Sequence, residues 1–406
     1  MSEAGSSHTS GAATTHVGDT IPLHPLLLPA EPAAAAELLG REVERAYRGG
    51  LALAPITNPA HAHYLPAYVP DTAAVVLSTS GSSGIPKRTL LPRAALRASG
   101  RATSERLGGD GDWLLCLPAG FVAGFQVISR AVLGGTRVTT LGSGHFDPAE
   151  FSAAARRMRP GRRYTSLVPT QIKRLLADPE ATAALAEFDR VLIGGAALDA
   201  ETAARLHAVT DGVLTYGMTE TCGGCVYDGR PLDGVQVRIV DGIIHIGGEV
   251  VAGGYLESSD TESGGFYTES GRRWYRTADR GHLDGDRLIP TGRVDDLINT
   301  GGVKVSAAAV ERVLAASDLV DTAVVMGIPD PEWGELVGAY LVVREGISTS
   351  DIELLRDLIR DRLGRASVPK RIVVRTDLPL LPNSKIDRRT IRERLILAAD
   401  GPAGRD

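Results

Sequence analysis

Ala73-Ala74-Val75-Val76-Leu77-Ser78-Thr79-Ser80-Gly81-Ser82-Ser83-Gly84-Ile85-Pro86-Lys87 begins as an apolar run and gives way to a loop of glycyl and hydroxylated residues ending in a lysine. The run Ala73 to Leu77 has the length of a buried parallel strand, so an α/β architecture is expected. In the loop, small residues let backbone amides approach an anion, hydroxyls add donors, and Lys87 supplies a point charge. Thr79, Ser80, Gly81, Ser82, Ser83 and Gly84 are therefore a candidate polyphosphate cradle. A Walker loop needs Gly-Lys-Ser/Thr at its end, whereas here Pro86 separates Ile85 from Lys87 and Arg88 follows it, which argues against that class. Glycine and serine are also ordinary turn residues, so the loop alone does not decide between a cradle and a plain turn.

Working outward, 406 residues exceed one ordinary core and imply a large and a small domain. A net charge of -5 lacks the basic excess of a nucleic-acid binder, so small-molecule partners are expected and nucleic acid is not. A homo-oligomer is left open, since the sequence does not fix the oligomeric state. No run approaches the ~18–20 apolar residues of a membrane span and no basic-then-apolar leader opens the chain, which suggests a cytoplasmic protein. The three cysteines, too few for a disulfide framework, agree with that compartment. Residues 1–20 lack periodicity and are expected to be a flexible leader.

A second strand is expected at Arg190–Ile193, running into Gly194-Gly195. Val235–Val240 and Ile243–Ile246 flank Asp241-Gly242, a type I′ hairpin signal that adds an antiparallel portion. Ser350-Asp351-Ile352-Glu353 reads as a capping box, and Ile352, Leu355, Ile359 and Leu363 recur at helical spacing until Gly364. The domain boundary is expected at a polar turn around Thr291-Gly292-Arg293, giving a large domain 21–292 and a small one 293–406.

Four further motifs follow the loop: Tyr216-Gly217-Met218-Thr219-Glu220, Tyr275-Arg276-Thr277-Ala278-Asp279, Gly292-Arg293-Val294-Asp295-Asp296 and Pro382-Asn383-Ser384-Lys385-Ile386-Asp387-Arg388. In this order and spacing the chain, from Ala73 to Arg389, resembles the acyl-CoA synthetase, adenylation-domain and luciferase superfamily. The resemblance implies a large N-terminal domain of stacked sheets and helices, a small mobile C-terminal domain, and ATP, Mg²⁺ and coenzyme A as reactants and cofactors. It implies that the loop closes over the ATP β and γ phosphates, with Lys87 facing the leaving pyrophosphate. Glu220 resembles the magnesium carboxylate and Thr219 an α-phosphate contact. Asp279 resembles the ribose carboxylate with Arg293 beside it, while Tyr216, Gly217, Gly195 and Ala196 correspond to the adenine pocket. Lys385 would stabilise charge on the reacting carboxylate. Asp295 resembles the hinge, and Gly301, Gly302 and Lys304 the segment presented to the thiol.

Taken singly, these residues have plainer readings: a lysine near a terminus is usually solvated, Asp279 alone could cap a turn, and Arg293 with Asp295 could be a linker charge pair. Cys222-Gly223-Gly224-Cys225 suggests zinc or redox chemistry, but no second CxxC or close histidine pair completes a tetrahedral site. His61 and His63 read as loop histidines. The chain departs from the superfamily at Arg88, Ala278 and Ser384, each standing where glycine is usual, and at Phe121, where an aromatic-gating histidine is usual. Phe121 and Gly124, in Leu117-Pro118-Ala119-Gly120-Phe121-Val122-Ala123-Gly124, favour an apolar or aromatic acyl group.

The stretches Arg163–Pro169, Val191–Gly195 and Thr215–Gly229, with a phosphate loop that starts early, resemble the o-succinylbenzoate–CoA ligases of menaquinone biosynthesis. That resemblance implies o-succinylbenzoate as the acid, its ring against Phe121, Val168, Thr221, Gly223 and Gly224; the sequence does not assign the group that binds its second carboxylate, for which an arginine such as Arg163 is chemically suitable. Another acid–thiol ligase, or a non-catalytic nucleotide-binding relative, remains the alternative.

Overall fold

The computed structural model describes residues 19–79, 87–142, 146–196, 198–257, 264–294, 296–343, 347–381 and 386–398. Ser80 to Gly84, Asp295 and Lys385 lie outside the described residues, as does the side chain of Thr79. So does most of the expected leader, although Thr20 already opens a strand, paired with Pro70.

The opening stretch forms the strand Ala73–Thr79 in a six-stranded sheet. It runs parallel to Ala52–Ile56 but antiparallel to Lys87–Pro92, with Thr79 opposite Lys87. The Gly/Ser loop therefore joins strand to strand, whereas a Walker loop joins strand to helix, so topology separates the two for the same reason that sequence did. A seven-stranded sheet follows, in the order Arg230–Pro231, Gly223–Tyr227, Gly212–Met218, Arg190–Ile193, Arg163–Leu167, Asp112–Leu115, Val138–Thr140. It is parallel from Val138–Thr140 to Gly212–Met218 and antiparallel beyond.

Helices Pro32–Arg48, Arg93–Leu107 and Val122–Gly134 fill the space between these two sheets. Leu39, Val43, Leu96, Phe125 and Ile128 from the helices share one core with Leu53, Val75, Leu91, Trp113 and Tyr164 from the strands. On the far face of the second sheet, Phe151, Ile172 and Leu175 of the helices Pro148–Arg157 and Pro169–Leu176 pack on Leu114, Leu167, Val191 and Ile193. The strand Arg190–Ile193 is apolar on both faces because both are covered.

The third sheet contains the expected hairpin. Val235–Val240 and Ile243–Gly248 pair antiparallel, and Asp241 and Gly242 take φ of 51° and 75°, the two positive values of a type I′ turn. Arg272–Asp284, Phe266–Glu269 and Arg287–Arg293 complete it. Thr291-Gly292-Arg293 is not a turn: these residues end the strand Arg287–Arg293, with Arg293 opposite Asp279. Polar residues on a sheet rim resemble a turn in sequence because both face water.

The last sheet starts at Leu297 and has its own core, in which Ile298, Val310, Leu314 and Leu341 meet Leu355 and Ile359 of the helix Thr349–Leu363. That helix stops at Gly364 (φ 85°) as expected, but its capping box lies two residues earlier. Asp351 N donates to Ser348 Oγ at 3.2 Å, and Ser348 N to Asp351 Oδ2 at 2.8 Å. Aspartate closes the box as glutamate would, and the earlier start adds residues to the helix. No helix among the described residues is long and apolar enough to cross a membrane.

Candidate active site

Strand Gly212–Met218 leads directly into the 3-10 turn Thr219–Thr221, which returns as the strand Gly223–Tyr227. The return is tight enough to require glycine at Gly217, where a Cβ would stand 2.1 Å from the Gly223 carbonyl oxygen. Between the two strands Cys222 adopts the left-handed conformation (φ 52°, ψ 38°), and its carbonyl accepts hydrogen bonds from Ser99 Oγ (3.1 Å) and Gln126 Nε2. This turn buries Glu220, which is 9% exposed.

A buried carboxylate must be hydrogen-bonded, and Glu220 is: Tyr255 OH donates to its Oε1 at 2.6 Å, and Tyr275 OH lies 3.1 Å from Tyr255 OH. Burial and the Glu220 charge beside them push both phenols up, Tyr275 to about 12. The second carboxylate, Asp279, receives Tyr216 OH on Oδ2 at 2.7 Å and Arg293 NH1 on Oδ1 at 3.0 Å. Its own amide donates to Thr277 Oγ1. Burial, then the Asp279 charge, hold the Tyr216 phenol well above its usual range. The Lys87 ammonium sits over the Tyr255 ring, 4.9 Å from its centroid. Lys87, Tyr216, Glu220, Asp279 and Arg293, read from four separate motifs, thus fall into two groups, Lys87 and Glu220 joined by Tyr255, and Asp279 held by Tyr216 and Arg293. Tyr255 was not singled out in sequence; its only local signal is a tyrosine after Gly253-Gly254, where small residues permit close approach.

The expected acyl-pocket residues fall into two adjacent groups. At the carboxyl ends of neighbouring parallel strands, Val168 Cγ1 lies 3.6 Å from where a Gly195 Cβ would be, and Gly195 has φ 87°. Gly194 and Ala196 flank it on the same connection, and Ala196 is exposed. Half-buried Phe121 precedes the helix Val122–Gly134, whose Gln126 and Val122 side chains lie 3.2 and 3.8 Å from the Gly223 Cβ position. Gly124 has no room for a side chain, since a Cβ would meet the Pro118 carbonyl oxygen at 2.3 Å. Thr221 Oγ1 donates to the Gly223 carbonyl at 2.8 Å and accepts from Met218 N at 3.0 Å, which closes the turn. Thr219 is buried beside it.

One expectation changes, and two others gain a structural setting. Arg163 stands at the start of the strand whose other end carries Val168, and it is committed to Glu187 (2.6 Å) and to the Arg159 and Met158 carbonyls, so it does not reach this pocket. Arg88, where glycine is usual, pairs with Glu257 at 2.5 Å and donates to the Tyr64 carbonyl, a structural role that glycine lacks. The Gly301-Gly302 pair forms a separate type I′ turn (φ 58° and 81°) between Leu297–Thr300 and Val303–Ser306, with Lys304 exposed. Cys222 and Cys225 are fully buried, and burial holds both thiols above their usual range, the opposite of a metal-binding or redox pair. No group of three or more His, Cys, Asp or Glu able to hold a metal occurs among the described residues, His61 and His63 included.

Two stacked α/β layers, an antiparallel third sheet and a small α+β unit, with buried carboxylates where the second and third sheets meet, are the fold of an adenylate-forming enzyme. The chain belongs to the AMP-binding enzyme family: residues 13–256 match the AMP-binding enzyme model, and residues 309–385 match the AMP-binding enzyme C-terminal domain. Over 342 residues it is 41% identical to a probable 2-succinylbenzoate–CoA ligase of Mycobacterium tuberculosis, covering 82% of this chain and 87% of that protein. It is 31% identical over 366 residues to a 4-chlorobenzoate–CoA ligase of an Arthrobacter species, covering 82% and 68%. Among solved structures, the o-succinylbenzoate CoA synthetase of Bacillus subtilis in complex with the acyl-adenylate intermediate OSB-AMP shares the fold, with a TM-score of 0.71 at 22% identity over 97% of this chain and 91% of that one.

Proposed function

We propose that this enzyme activates o-succinylbenzoate with ATP, forming the acyl-adenylate and pyrophosphate, and then transfers the acyl group to coenzyme A with release of AMP. The observation that carries the nucleotide half is the pair of buried carboxylates, Glu220 held by Tyr255 beneath Lys87 and Asp279 held by Tyr216 and Arg293. The acid is taken from the relative 41% identical to this chain.

In this reading Asp279 accepts the ribose hydroxyls while Arg293 and Tyr216 hold it in place. Gly195, Ala196, Tyr216 and Gly217 line the adenine, with Thr219 at the α-phosphate. Residues 79–84 and Lys87 face the β and γ phosphates, where each amide, hydroxyl and ammonium offsets negative charge on the leaving group.

Glu220 fits a magnesium ion. Its Oε1 is held by Tyr255, no hydrogen bond from a described residue reaches Oε2, and a hard carboxylate oxygen with phosphate oxygens is the usual Mg²⁺ environment. The bound ion would neutralise phosphate charge.

The acid's carboxylate attacks the α-phosphorus in line, and a carboxylate needs no general base. Lys385 balances the charge that gathers on the reacting oxygens. The thiol, as thiolate, then attacks the acyl carbonyl and expels AMP. For this second step we assign Asp295 as the hinge and Gly301, Gly302 and Lys304 as the segment facing the thiol, dividing the chain close to Arg293. Phe121, Gly124, Val168, Thr221, Gly223 and Gly224 enclose the aromatic part of the acid.

The test is a panel of acids with ATP and coenzyme A, including o-succinylbenzoate, benzoate and 4-chlorobenzoate, followed by thioester formation. A kcat/KM for o-succinylbenzoate about 100-fold above the others is expected, the scale of losing a hydrogen bond to a charged group. A preference for a monocarboxylic aryl acid overturns the acid assignment and leaves the ligase chemistry standing.

A further inference from the structure

Tyr255 occupies a short strand, Gly254–Tyr255, whose only strand partner among the described residues is Lys87–Pro92, with Tyr255 opposite Thr89. Side chains alternate along a strand, so Lys87 and Thr89 share one face, and Tyr255 is the cross-strand partner of Thr89 and the diagonal neighbour of Lys87. That register explains why the Lys87 ammonium stands over the Tyr255 ring at 4.9 Å.

The backbone around Tyr255 is fixed from both sides. Arg273 donates to the Ala252 and Gly253 carbonyls at 2.7 and 2.9 Å. On the other side Leu256 N donates to the Arg88 carbonyl at 2.7 Å, and Arg88 pairs with Glu257. Ala252 N also donates to the Glu220 carbonyl at 2.9 Å, which draws the Glu220 turn against this strand.

The ring is held as firmly. It packs edge-on against Phe266, with centroids 5.2 Å apart, and a Cβ at Gly264 would stand 2.7 Å from it. A phenol has one proton to give. Tyr255 gives it to Glu220 Oε1, so the 3.1 Å contact with Tyr275 is Tyr275 donating to Tyr255.

We infer that Tyr255 is a positioning residue for adenylation, its hydroxyl fixing the Glu220 carboxylate with Oε2 turned to the metal side and its ring face supporting the Lys87 ammonium. One rigid side chain thereby sets the separation between the carboxylate and the cation that face the polyphosphate. This inference rests on the proposed roles of Glu220 and Lys87 above. A tyrosine that served only to fill the core would need its ring and not its hydroxyl.

The experiment compares the full-length enzyme with Tyr255→Phe, which keeps the ring and removes the hydroxyl, and with the pair Glu220→Gln and Glu220→Gln/Tyr255→Phe. Three quantities are read: Mn²⁺ binding in the presence of a non-hydrolysable ATP analogue, by paramagnetic resonance; the Mg²⁺ concentration giving half-maximal ATP–pyrophosphate exchange; and thioester formation from supplied acyl-adenylate. Tyr255→Phe should weaken Mn²⁺ binding and raise the Mg²⁺ requirement by about 10- to 100-fold, the range for loss of a group orienting a metal ligand, while the thioester step is unchanged. In the Glu220→Gln background the same substitution should add nothing.

Unchanged metal binding and metal requirement in Tyr255→Phe overturn the inference, as does equal loss in both half-reactions. Should the variant be too unstable to assay, Tyr275→Phe, which frees the Tyr255 oxygen of its donor, must shift the Mg²⁺ requirement in the same direction, and no shift overturns the inference. If the unmodified enzyme shows no acid-dependent exchange at all, the proposed function fails instead, which separates the two.

Discussion

The cluster around Glu220 and Asp279 and the hairpin at Gly301-Gly302 are built on opposite physical terms. In the first, both carboxylates are 9% exposed, and Tyr216, Tyr255 and Arg293 donate to them. In the second, a type I′ turn carries Val303, 50% exposed, and an exposed Lys304, with Trp333 alongside, 46% exposed. Groups that must stabilise charge on a polyphosphate gain from being fixed in advance in a dry setting. In the proposed thiol step, a segment that meets a second substrate after a rotation gains from lying at the surface. On the roles proposed above, the contrast sets two carboxylates already fixed for adenylation against a thiol segment left at the surface.

Lys385→Ala is the sharpest way to break that contrast. On the role proposed for Lys385, its loss should slow adenylation by about 10²–10³-fold, with thioester formation from supplied acyl-adenylate retained. Equal losses in both half-reactions would show that the division is wrong.

Asp279→Asn keeps the shape and removes the charge that Arg293 and Tyr216 face, so the KM for ATP should rise by about 10- to 100-fold, the scale of hydrogen bonds to charged groups. A titration of initial exchange rate against ATP checks it. Gly301→Val should act on the other side. Its φ of 58° suits glycine, and a Cβ there would stand 2.6 Å from the Trp333 ring. The strain of a branched residue in that conformation predicts about a tenfold fall in the coenzyme A-dependent step, with pyrophosphate exchange unaffected.

The smallest effect concerns the sheet that carries Asp279. His245 is buried there, its Nδ1 2.7 Å from Tyr267 OH and its Nε2 without a hydrogen-bond partner among the described residues. Burial, then Arg238 and Arg276, lower its pKa from 6.5, against the weaker pull of Asp241 and Glu269. Because the folded form resists the proton that the unfolded chain takes up, stability is full above about pH 6.5 and declines as pH falls from there toward the folded pKa. Thermal melts of His245→Gln should lose part of that acid limb. A limb unchanged by the substitution would assign it to other groups.

Much of this was readable in the chain because it depends on local chemistry. Asp241-Gly242 dictates a hairpin wherever it lies between apolar runs, and Gly364 ends its helix because few other residues accept φ 85° there. Lys87, Tyr216, Glu220, Asp279 and Arg293 were readable as candidates because motifs mark them, and their convergence adds the geometry that spacing lacked. Tyr255 was not readable, since its role depends on the register Tyr255↔Thr89 between distant segments. The same limit misplaced Arg163: its type suits a carboxylate, but only the strand direction shows which end of the sheet it occupies. Thr291-Gly292-Arg293 misled because a polar sheet rim and a turn share a composition.

The most direct test omits coenzyme A. Enzyme, Mg²⁺-ATP and o-succinylbenzoate are mixed, and the products are separated by mass spectrometry before and after coenzyme A is added. The account predicts o-succinylbenzoyl-adenylate and pyrophosphate in the first sample, then AMP and the thioester in the second. ADP and phosphate, or no acid-dependent cleavage of ATP, would contradict it.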